Sequence, residues 1–302
     1  MKNTIFKKPS YVTKEALKTF IESALKEDIG PGDYSTLSTI DKNLIQTAEC
    51  IVKEDCIIAG VELAEIIFKT LDKKLSVEVF IKDGEAVKKG AIAFSVHGNA
   101  QSILMAERLV LNCMQRMSGI ATLTHDWDSR LIGTKTKLLD TRKTTPNFRI
   151  CEKWAVAIGG GTNHRYGLYD MVMLKDNHID YNGSIKNAVE MCRKYLKENK
   201  LKLKIEVETR TLKEVQEALE AKVDRIMLDN MSTAMMKKAV TLIGGKIETE
   251  ASGGIQRDRL HEIALTGVDY ISAGALTHSA SNIDISLKAT KNQEPKTVIN
   301  YD

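Results

Sequence analysis

Two patterns of apolar and polar positions follow one another along the chain, and the change lies near residue 135. Before that point, short segments alternate apolar with polar residues and are rich in β-branched side chains, as in strands that bury one face. This pattern predicts strands at 48–53, 75–81 and 91–96. Apolar residues at helical spacing predict helices at 63–71 and 102–117.

After residue 135, short apolar strands alternate with amphipathic helices, which is the pattern of βαβ units around a parallel sheet. The predicted strands are 137–140, 171–174, 203–208, 225–228, 246–250 and 270–273. The predicted helices are 184–199, 212–221, 232–243 and 257–265. A complete TIM barrel has about eight strands, so this shorter series predicts an α/β fold with an incomplete, open barrel.

Polar or glycine residues follow every strand predicted in this second part of the chain. In an α/β barrel the carboxyl ends of the strands carry the active site. We therefore expect these strand-end residues to lie together in a site. They are Thr141, Arg142, Lys143, Lys175, Glu208, Asp229, Ser252, Gly253, Gly254 and Gly274.

Length and composition narrow the class of protein. With 302 residues, of which 43% are hydrophobic, the chain can form two domains or one elaborated barrel. A net charge of +4 gives no indication of nucleic-acid binding, and no apolar run reaches the ~18 residues of a membrane span. The five cysteines include no Cys-x-x-Cys pair. They therefore indicate neither a zinc site nor a disulfide framework, and they favour a cytoplasmic location.

Four cationic residues, Arg142, Lys143, Arg165 and Lys175, lie at or just beyond predicted strand ends. The planar guanidinium of arginine binds carboxylates and phosphates through paired hydrogen bonds. Each of the four could be a solvated loop residue. Together on one rim they would repel one another unless anions occupied the site, so the sequence predicts a strongly anionic ligand.

Carboxylates accompany these cations. Glu206 and Glu208 lie two residues apart on one predicted strand, so their side chains point to the same side. Asp229 ends the next strand. Such groups can hold ribose hydroxyls, bind Mg²⁺ or stabilise a developing positive charge. Glu206 fits a structural ion pair equally well, whereas a functional role is favoured for Glu208 and Asp229.

Glycine-rich segments complete the candidate site. The segment 252–254 follows one strand and Gly274 follows the next, and at such places backbone N–H groups can approach phosphate oxygens. A run of three glycines opens the segment 159–165, which ends in His164 and Arg165. His164 can donate a hydrogen bond, act as a base or only support its loop.

The segment GGGTNHRYGLYDMVMLKDNH at 159–178 resembles the signature of the quinolinate phosphoribosyltransferase family. Further similar segments occur in order along nearly the whole chain. They are EDIGPGD at 27–33, AERLVLN at 106–112, SGIAT at 118–122, DTRKTTP at 140–146, LDN at 228–230, ASGG at 251–254 and GALTH at 274–278.

The resemblance implies an N-terminal α/β sandwich domain at 1–120, completed by the tail from about 280 to 302, and an incomplete TIM-like α/β barrel at 121–279. It also implies transfer of phosphoribosyl from 5-phosphoribosyl-1-pyrophosphate to quinolinate with decarboxylation. The products are nicotinate mononucleotide, pyrophosphate and CO₂, as in de novo NAD biosynthesis. Mg²⁺ is the expected cofactor, and a homodimer or higher oligomer is the expected assembly.

The resemblance assigns roles to individual residues. It implies a dicarboxylate pocket lined by Thr141, Arg142, His164, Arg165 and Lys175, with Arg108 supplied by a partner subunit. Catalytic roles fall on Lys143, Lys175, Glu208 and Asp229. Lys143 and Lys175 face phosphoribosyl pyrophosphate, while Glu208 and Asp229 face its ribose and help to hold Mg²⁺ bound through the pyrophosphate. The 5′-phosphate falls to Ser252, Gly253, Gly254, Ala273, Gly274 and Ala275.

Other functions remain open at this point. A phosphoribosyltransferase-like protein associated with molybdenum transport shares the architecture, and a different pyridine acid is a further possible substrate. Lys175 at a strand end also suits a Schiff-base lyase, although the neighbouring cations and glycine loops do not. The segment 83–92 is similar to a turn of lipoyl-type carrier domains, but the chain has no modifiable lysine in the motif that a carrier requires.

Overall fold

The computed structural model describes residues 7–290. Most of the lysine-containing start of the chain (residues 1–6) and the end of the predicted tail (291–302) lie outside the described residues. The described chain forms two compact units. One contains Ile120–Ala280, and the other contains Pro9–Gly119 together with the segment that begins at Ser281.

The elements follow one another along both units. The first part of the chain contains α1 (Lys14–Ile29), α2 (Tyr34–Thr39), β1 (Ile45–Val52), β2 (Cys56–Ile57), α3 (Val61–Leu71), β3 (Ser76–Val79), β4 (Ala86–Val87), β5 (Ile92–Asn99) and α4 (Ala100–Ser129). The second part contains β6 (Lys137–Leu139), α5 (Arg149–Ile158), β7 (Val172–Leu174), α6 (Asp176–Asn182), α7 (Ile185–Glu198), β8 (Ile205–Thr209), α8 (Leu212–Glu220), β9 (Arg225–Asp229), α9 (Thr233–Ile243), β10 (Glu248–Ser252), α10 (Leu260–Ala264), β11 (Tyr270–Ser272), α11 (Ala275–His278) and β12 (Ile285–Ala289).

The unit that contains Pro9–Gly119 is built on an antiparallel sheet with the strand order β12-β1-β5-β3. Residues on β1 alternate between buried and partly exposed positions towards its end, as the sequence pattern predicted. The last strand, β12, comes from beyond Ser281 and pairs with β1, with Val52 opposite Ile285. In the core, Phe68 and Phe94 pack edge to face with ring centroids 6.0 Å apart.

The unit Ile120–Ala280 is built on a six-stranded sheet with the order β6-β11-β10-β9-β8-β7, in which all neighbouring strands are parallel. Among the described residues, the outer strands β6 and β7 do not pair with each other, so the barrel is open. The α/β fold with an incomplete barrel is therefore confirmed. The carboxyl ends of these parallel strands lie along one edge of the sheet.

Strand positions agree with the sequence pattern because both faces of the inner parallel strands are covered, which gives continuous apolar runs. Four of the five residues of β9 are buried, for example. Helices begin where a side-chain oxygen caps the first turn, as at Ser184, Thr211 and Ser232.

Two helix predictions differ from the structure. The helix predicted at 102–117 continues through Gly119 to Ser129 as α4. Gly119 is needed at this point because a Cβ there would overlap the carbonyl oxygen of Ser281. The helix predicted at 257–265 is a 3₁₀ turn at Arg257–Arg259 followed by the short α10. Within residues 7–290, no helix combines the length and the apolar character that a membrane span needs.

Candidate active site

A cavity of about 890 Å³ lies at the carboxyl ends of the parallel strands in the unit Ile120–Ala280. It brings together the side chains and backbone segments predicted at the strand ends. The predicted residues that line it are Thr141, Arg142, Lys143, His164, Arg165, Lys175, Glu208, Asp229, Ser252, Gly253, Gly254, Ala273, Gly274 and Ala275. Arg108 is not among the lining residues of this chain. It is an exposed residue of α4 in the other unit.

Two arginines lie next to each other in the cavity. Arg142 is half-buried, and its Nε has no hydrogen-bond partner in the described part of the chain. Arg165 donates through Nη1 to the Met171 carbonyl oxygen at 3.1 Å. Burial, and then the charge of Arg142, lower the pKa of the Arg165 guanidinium. An anion bound between the two groups would offset their mutual repulsion, so this pair suits a ligand with carboxylates.

The lysine and carboxylates at the rim are also close together. Lys175 Nζ donates to Glu208 Oε2 at 3.2 Å, and both line the cavity. Asn230 Nδ2 donates to Asp229 Oδ2 at 2.8 Å and so orients that carboxylate. Glu208 and Asp229 end the adjacent strands β8 and β9. Their oxygen atoms are the kind of ligand that Mg²⁺ prefers.

Backbone segments that follow the neighbouring strands β10 and β11 form the next part of the rim. Gly253 has a φ of +90°, and a Cβ there would overlap the amide of Asn230. At Gly274 a Cβ would lie 2.8 Å from Cδ of Lys143. Position 253 therefore requires glycine because of its positive φ and the nearby amide, whereas at Gly274 the Lys143 side chain approaches the backbone closely. Exposed N–H groups of this kind can bind phosphate oxygens.

The loop that carries His164 and Arg165 is held from below by a buried ion pair. Lys153 Nζ lies 2.5 Å from Asp140 Oδ1, and neither side chain is exposed. The Asp140 carboxylate also accepts the His164 backbone N–H at 2.7 Å and Asn163 Nδ2 at 2.6 Å. Burial raises the pKa of Asp140 although Lys153 opposes that shift. Asp140 thus fixes two consecutive residues, Asn163 and His164, where the loop enters the cavity.

Beneath the cavity, Nε2 of His164 faces two buried carboxylates. It lies 3.1 Å from Glu206 Oε2 and 3.2 Å from Glu250 Oε2. Arg225 Nη1 donates to Glu250 at 3.1 Å. Burial lowers the pKa of His164, but hydrogen bonding to the two carboxylates outweighs burial and raises it to about 9. Burial, and then the charge of Glu250, raise the pKa of Glu206.

The same three side chains have the spacing of a possible metal site, because their ligand atoms lie within 4.8 Å of one another. The two distances from Nε2, however, are also those of ordinary N–H···O hydrogen bonds. Glu250 is in addition engaged by Arg225. Two arginines that interact with these carboxylates, Arg165 and Arg225, disfavour a further cation.

Several lining residues were not selected from the sequence. They are Trp127, Met173, Met227, Glu250, Ile255, Gln256, Ser272, His278 and Ser279, whereas Asn230 lies at a strand end that the sequence did indicate. Period-two alternation would have identified some of them, because residues two positions before a strand-end residue point to the same side. Met173 precedes Lys175 in this way, and Glu250 precedes Ser252. Trp127 lies on α4, outside every strand-end pattern.

Comparison with known proteins extends the likeness over both units. A family model described as "Quinolinate phosphoribosyl transferase, C-terminal domain" matches residues 120–288, and its N-terminal counterpart matches residues 33–118. The chain is 48% identical over 298 residues to quinolinate phosphoribosyltransferase [decarboxylating] 2, mitochondrial, of Nicotiana glauca. That alignment covers 93% of the chain and 84% of the relative.

A second relative, from Arabidopsis thaliana, is named nicotinate-nucleotide pyrophosphorylase [carboxylating], chloroplastic. It is 49% identical over 301 residues, which cover 93% of the chain and 85% of the relative. A crystal structure of NadC from Streptococcus pyogenes superposes with a TM-score of 0.87 at 38% identity, over 92% of this chain and 98% of that one. The chain therefore belongs to the quinolinate phosphoribosyltransferase family.

Proposed function

We propose that this protein transfers the phosphoribosyl group of 5-phosphoribosyl-1-pyrophosphate to quinolinate and removes one carboxylate, giving nicotinate mononucleotide, pyrophosphate and CO₂. The observation that carries the proposal is one cavity lined by four cations, two rim carboxylates and two glycine loops. Its two substrates together bring a dicarboxylate, a pyrophosphate and a sugar phosphate. The names of the relatives specify the same reaction type.

The dicarboxylate is proposed to bind at Arg142 and Arg165. The Nε of Arg142 has no hydrogen-bond partner among the described residues, so the guanidinium can still donate to a carboxylate. The guanidinium of Arg165 donates to the Met171 carbonyl oxygen and carries further N–H groups that can donate to the ligand. Thr141, His164 and Lys175 complete the lining of this pocket. A dianion between two adjacent guanidinium groups relieves their repulsion, which favours quinolinate over a pyridine with one carboxylate.

Phosphoribosyl pyrophosphate is proposed to bind across the rest of the cavity. Lys143 and Lys175 would face its pyrophosphate, and Glu208 and Asp229 its ribose. The 5′-phosphate would be held by backbone groups at Ser252, Gly253, Gly254, Ala273, Gly274 and Ala275. The close approaches at the two glycine loops support this assignment, because they leave backbone rather than side chain at the cavity wall.

The chemistry follows from this arrangement. The ring nitrogen of quinolinate forms a bond to C1 of the ribose as the bond from C1 to pyrophosphate breaks. Positive charge that develops at C1 lies near Glu208 and Asp229. The product is a pyridinium, so the C2 carboxylate leaves as CO₂ and its bonding electron pair stays on C2 beside the cationic nitrogen, where a proton then adds. The chain positions the reactants and balances charge, without a covalent intermediate.

Mg²⁺ is the proposed cofactor, bound with the pyrophosphate and helped by Glu208 and Asp229. These two groups offer carboxylate oxygens from adjacent strands on the same rim, which fits the preference of Mg²⁺ for oxygen ligands. When bound, the ion would offset the negative charge of the pyrophosphate leaving group. Lys143 and Lys175 contribute to the same charge balance as fixed cations.

A homodimer, or a higher oligomer, with a shared site is also proposed, with Arg108 reaching the cavity of a partner subunit. Its exposed position on α4 supports this role. Mixing Arg108→Ala with Lys175→Ala under conditions of subunit exchange tests it. In a symmetric dimer the mixture would recover about a quarter of wild-type activity, whereas a site within one chain would recover none. A cytoplasmic location stays a prediction, since two relatives are named mitochondrial and chloroplastic.

A direct assay tests the reaction. Purified protein is incubated with quinolinate, phosphoribosyl pyrophosphate and Mg²⁺, and nicotinate mononucleotide, pyrophosphate and CO₂ are measured. We expect the three products in equal amounts, and loss of turnover in Lys175→Ala. Product formation from nicotinate but none from quinolinate would contradict the proposed substrate.

A further inference from the structure

Both ring nitrogens of His164 contact other groups of the protein. Nδ1 accepts the backbone N–H of Arg165 at 2.7 Å. Nε2 lies 3.1 Å from Glu206 and 3.2 Å from Glu250. The Nε2 atom is buried, as are the side chains of both glutamates, and its contacts with them are ion-pair contacts without the alignment of a full hydrogen bond. Although His164 lines the cavity, neither nitrogen is left for a ligand.

These contacts determine where the ring proton lies. Because Nδ1 accepts a hydrogen bond, it carries no proton, and the proton of the neutral ring is on Nε2, facing carboxylates that can only accept. A second ring proton on Nδ1 would face the Arg165 amide hydrogen across 2.7 Å. Against the effect of burial, the two carboxylates raise the pKa of His164 to about 9, but a cationic ring would need a proton on Nδ1, where the Arg165 amide hydrogen already points. We therefore assign the next proton that this cluster takes up to Glu206, whose pKa is raised by burial and by Glu250.

The tautomer of His164 has a consequence for Arg165. The Arg165 backbone is held at Nδ1 of His164, and its guanidinium is held by the Met171 carbonyl oxygen at 3.1 Å. The residue is thus fixed at both ends. Reversal of the tautomer would put an N–H group opposite the Arg165 amide and would release the first contact.

We propose that Glu206 and Glu250 are positioning residues, which hold His164 as the Nε2–H tautomer so that its Nδ1 fixes Arg165 for the substrate carboxylate. This inference assigns roles to two buried glutamates beneath the cavity and makes His164 an orienting residue rather than an acid or base. Its effect on substrate binding rests on the proposed function, whereas the position of the ring proton does not.

The first test observes the ring directly in the full-length protein. Selective ¹⁵N labelling of the six histidines, with His164 assigned from the missing signals of His164→Gln, gives the protonation of each nitrogen. We expect a protonated Nε2 and an unprotonated Nδ1 at neutral pH. A ring protonated at both nitrogens overturns the proposal. So does an Nε2 without a proton, including one that coordinates added Zn²⁺ or Mn²⁺.

The second test uses paired variants and steady-state kinetics. In asparagine the side-chain oxygen lies near the place of Nδ1, while in glutamine the polar group lies near the place of Nε2. His164→Asn should therefore keep the quinolinate KM within about threefold of wild type, and His164→Gln should raise it by roughly fivefold or more, as expected for loss of one hydrogen bond. The KM for phosphoribosyl pyrophosphate should not change. Equal impairment of both variants would contradict the role of Nδ1.

Glu206→Gln has a matched control in Glu248→Gln. Glu248 lies on the same strand as Glu250 and contacts Arg225 at 3.2 Å, but does not contact His164. We expect a raised quinolinate KM and a changed His164 ring signal for Glu206→Gln alone, with unfolding midpoints of both variants near that of wild type. Identical ring signals in both variants would exclude control of His164 by Glu206. Absence of any nicotinate mononucleotide from wild type would refute the proposed function, and the ring measurement would still decide the tautomer.

Discussion

Replacement of the buried carboxylate of Asp140 is expected to destabilise the unit Ile120–Ala280 by about 3–5 kcal/mol. In Asp140→Asn the side chain keeps its size, but the Lys153 ammonium, 2.5 Å away and unexposed, loses its charged partner. A buried charge without a partner lowers the free energy of unfolding by several kcal/mol, whereas loss of an ion pair on a protein surface lowers it by about 1 kcal/mol or less.

The hydrogen bonds of Asp140 give a similar magnitude. The carboxylate accepts from Lys153, from Asn163 and from the backbone of His164. An asparagine amide has one acceptor oxygen, so its NH₂ group must face at least one of these donors in either orientation. Loss of one hydrogen bond that involves a charged group costs about 1.5–3 kcal/mol. Burial lowers the pKa of Lys153. In Asp140→Asn the ammonium can therefore lose its proton instead of remaining as an unpaired buried charge, and this sets an upper limit to the loss of stability.

Urea unfolding followed by tryptophan fluorescence measures this change. Trp127 and Trp154 are the two tryptophans of the chain, and both lie in the unit that contains Asp140. As a control, Lys135→Met removes an ion pair with Asp269 in which Lys135 is largely exposed, and should cost under about 1 kcal/mol. The double variant Asp140→Ala, Lys153→Met should be more stable than Asp140→Asn, because it removes both charges. A loss below about 1 kcal/mol in Asp140→Asn, or a double variant less stable than the single one, would refute the reasoning.

Three further predictions concern the cavity and the thiols. Gly253→Ala places a Cβ against Asn230 at a φ of +90°, and we expect the KM for phosphoribosyl pyrophosphate to rise roughly tenfold while that for quinolinate stays constant; equal effects on both would contradict a phosphate role. Lys175→Ala should lower kcat roughly 100-fold in the coupled assay, and near-normal turnover would exclude its catalytic role. Burial raises the pKa of Cys50 to about 12, so it stays a thiol at pH 8, and four of the five cysteines are buried. A thiol-reactive dye should therefore label Cys192 first and the others only in urea; rapid labelling of two or more sites in the folded protein would be inconsistent with this burial.

The strands of the barrel could be predicted from the sequence because their burial leaves a direct trace. Inner parallel strands have both faces covered, so β8 and β9 appear as apolar runs with sharp polar ends. Their bounds differ from the prediction by one or two residues. The helix α5 was not predicted, although eight of its ten residues are buried. Its apolar residues do recur at helical spacing, as Ile150, Trp154 and Ile158 show. What the sequence did not indicate is that the charged residues Glu152 and Lys153 on this helix are also buried.

The candidate site also contains residues that could be predicted from the sequence and residues that could not. Residues at strand ends could be selected because topology alone brings parallel strand ends to one edge. The layer beneath them depends on contacts that no spacing in the sequence indicates. Asp140 accepts hydrogen bonds from Lys153 on a helix and from Asn163 on a loop. Glu206 contacts His164, which lies 42 positions earlier in the chain.

The difference in burial between the rim and the layer beneath it also separates residues that can contact a ligand from residues that position other side chains. Residues at the rim, such as Lys175, keep part of their surface exposed, and their chemistry can be proposed from residue type alone. Glu206 has the same residue type as Glu208 and points to the same side of β8, yet its oxygens are buried and Glu208 remains at the rim. Glu206 lies two residues deeper on the strand than Glu208, and there its carboxylate interacts with His164, Arg165 and Arg225 rather than with a ligand at the rim. For this reason the sequence left Glu206 open between an ion pair and a functional role, and the geometry places it in a third one, orientation of the loop that carries Arg165.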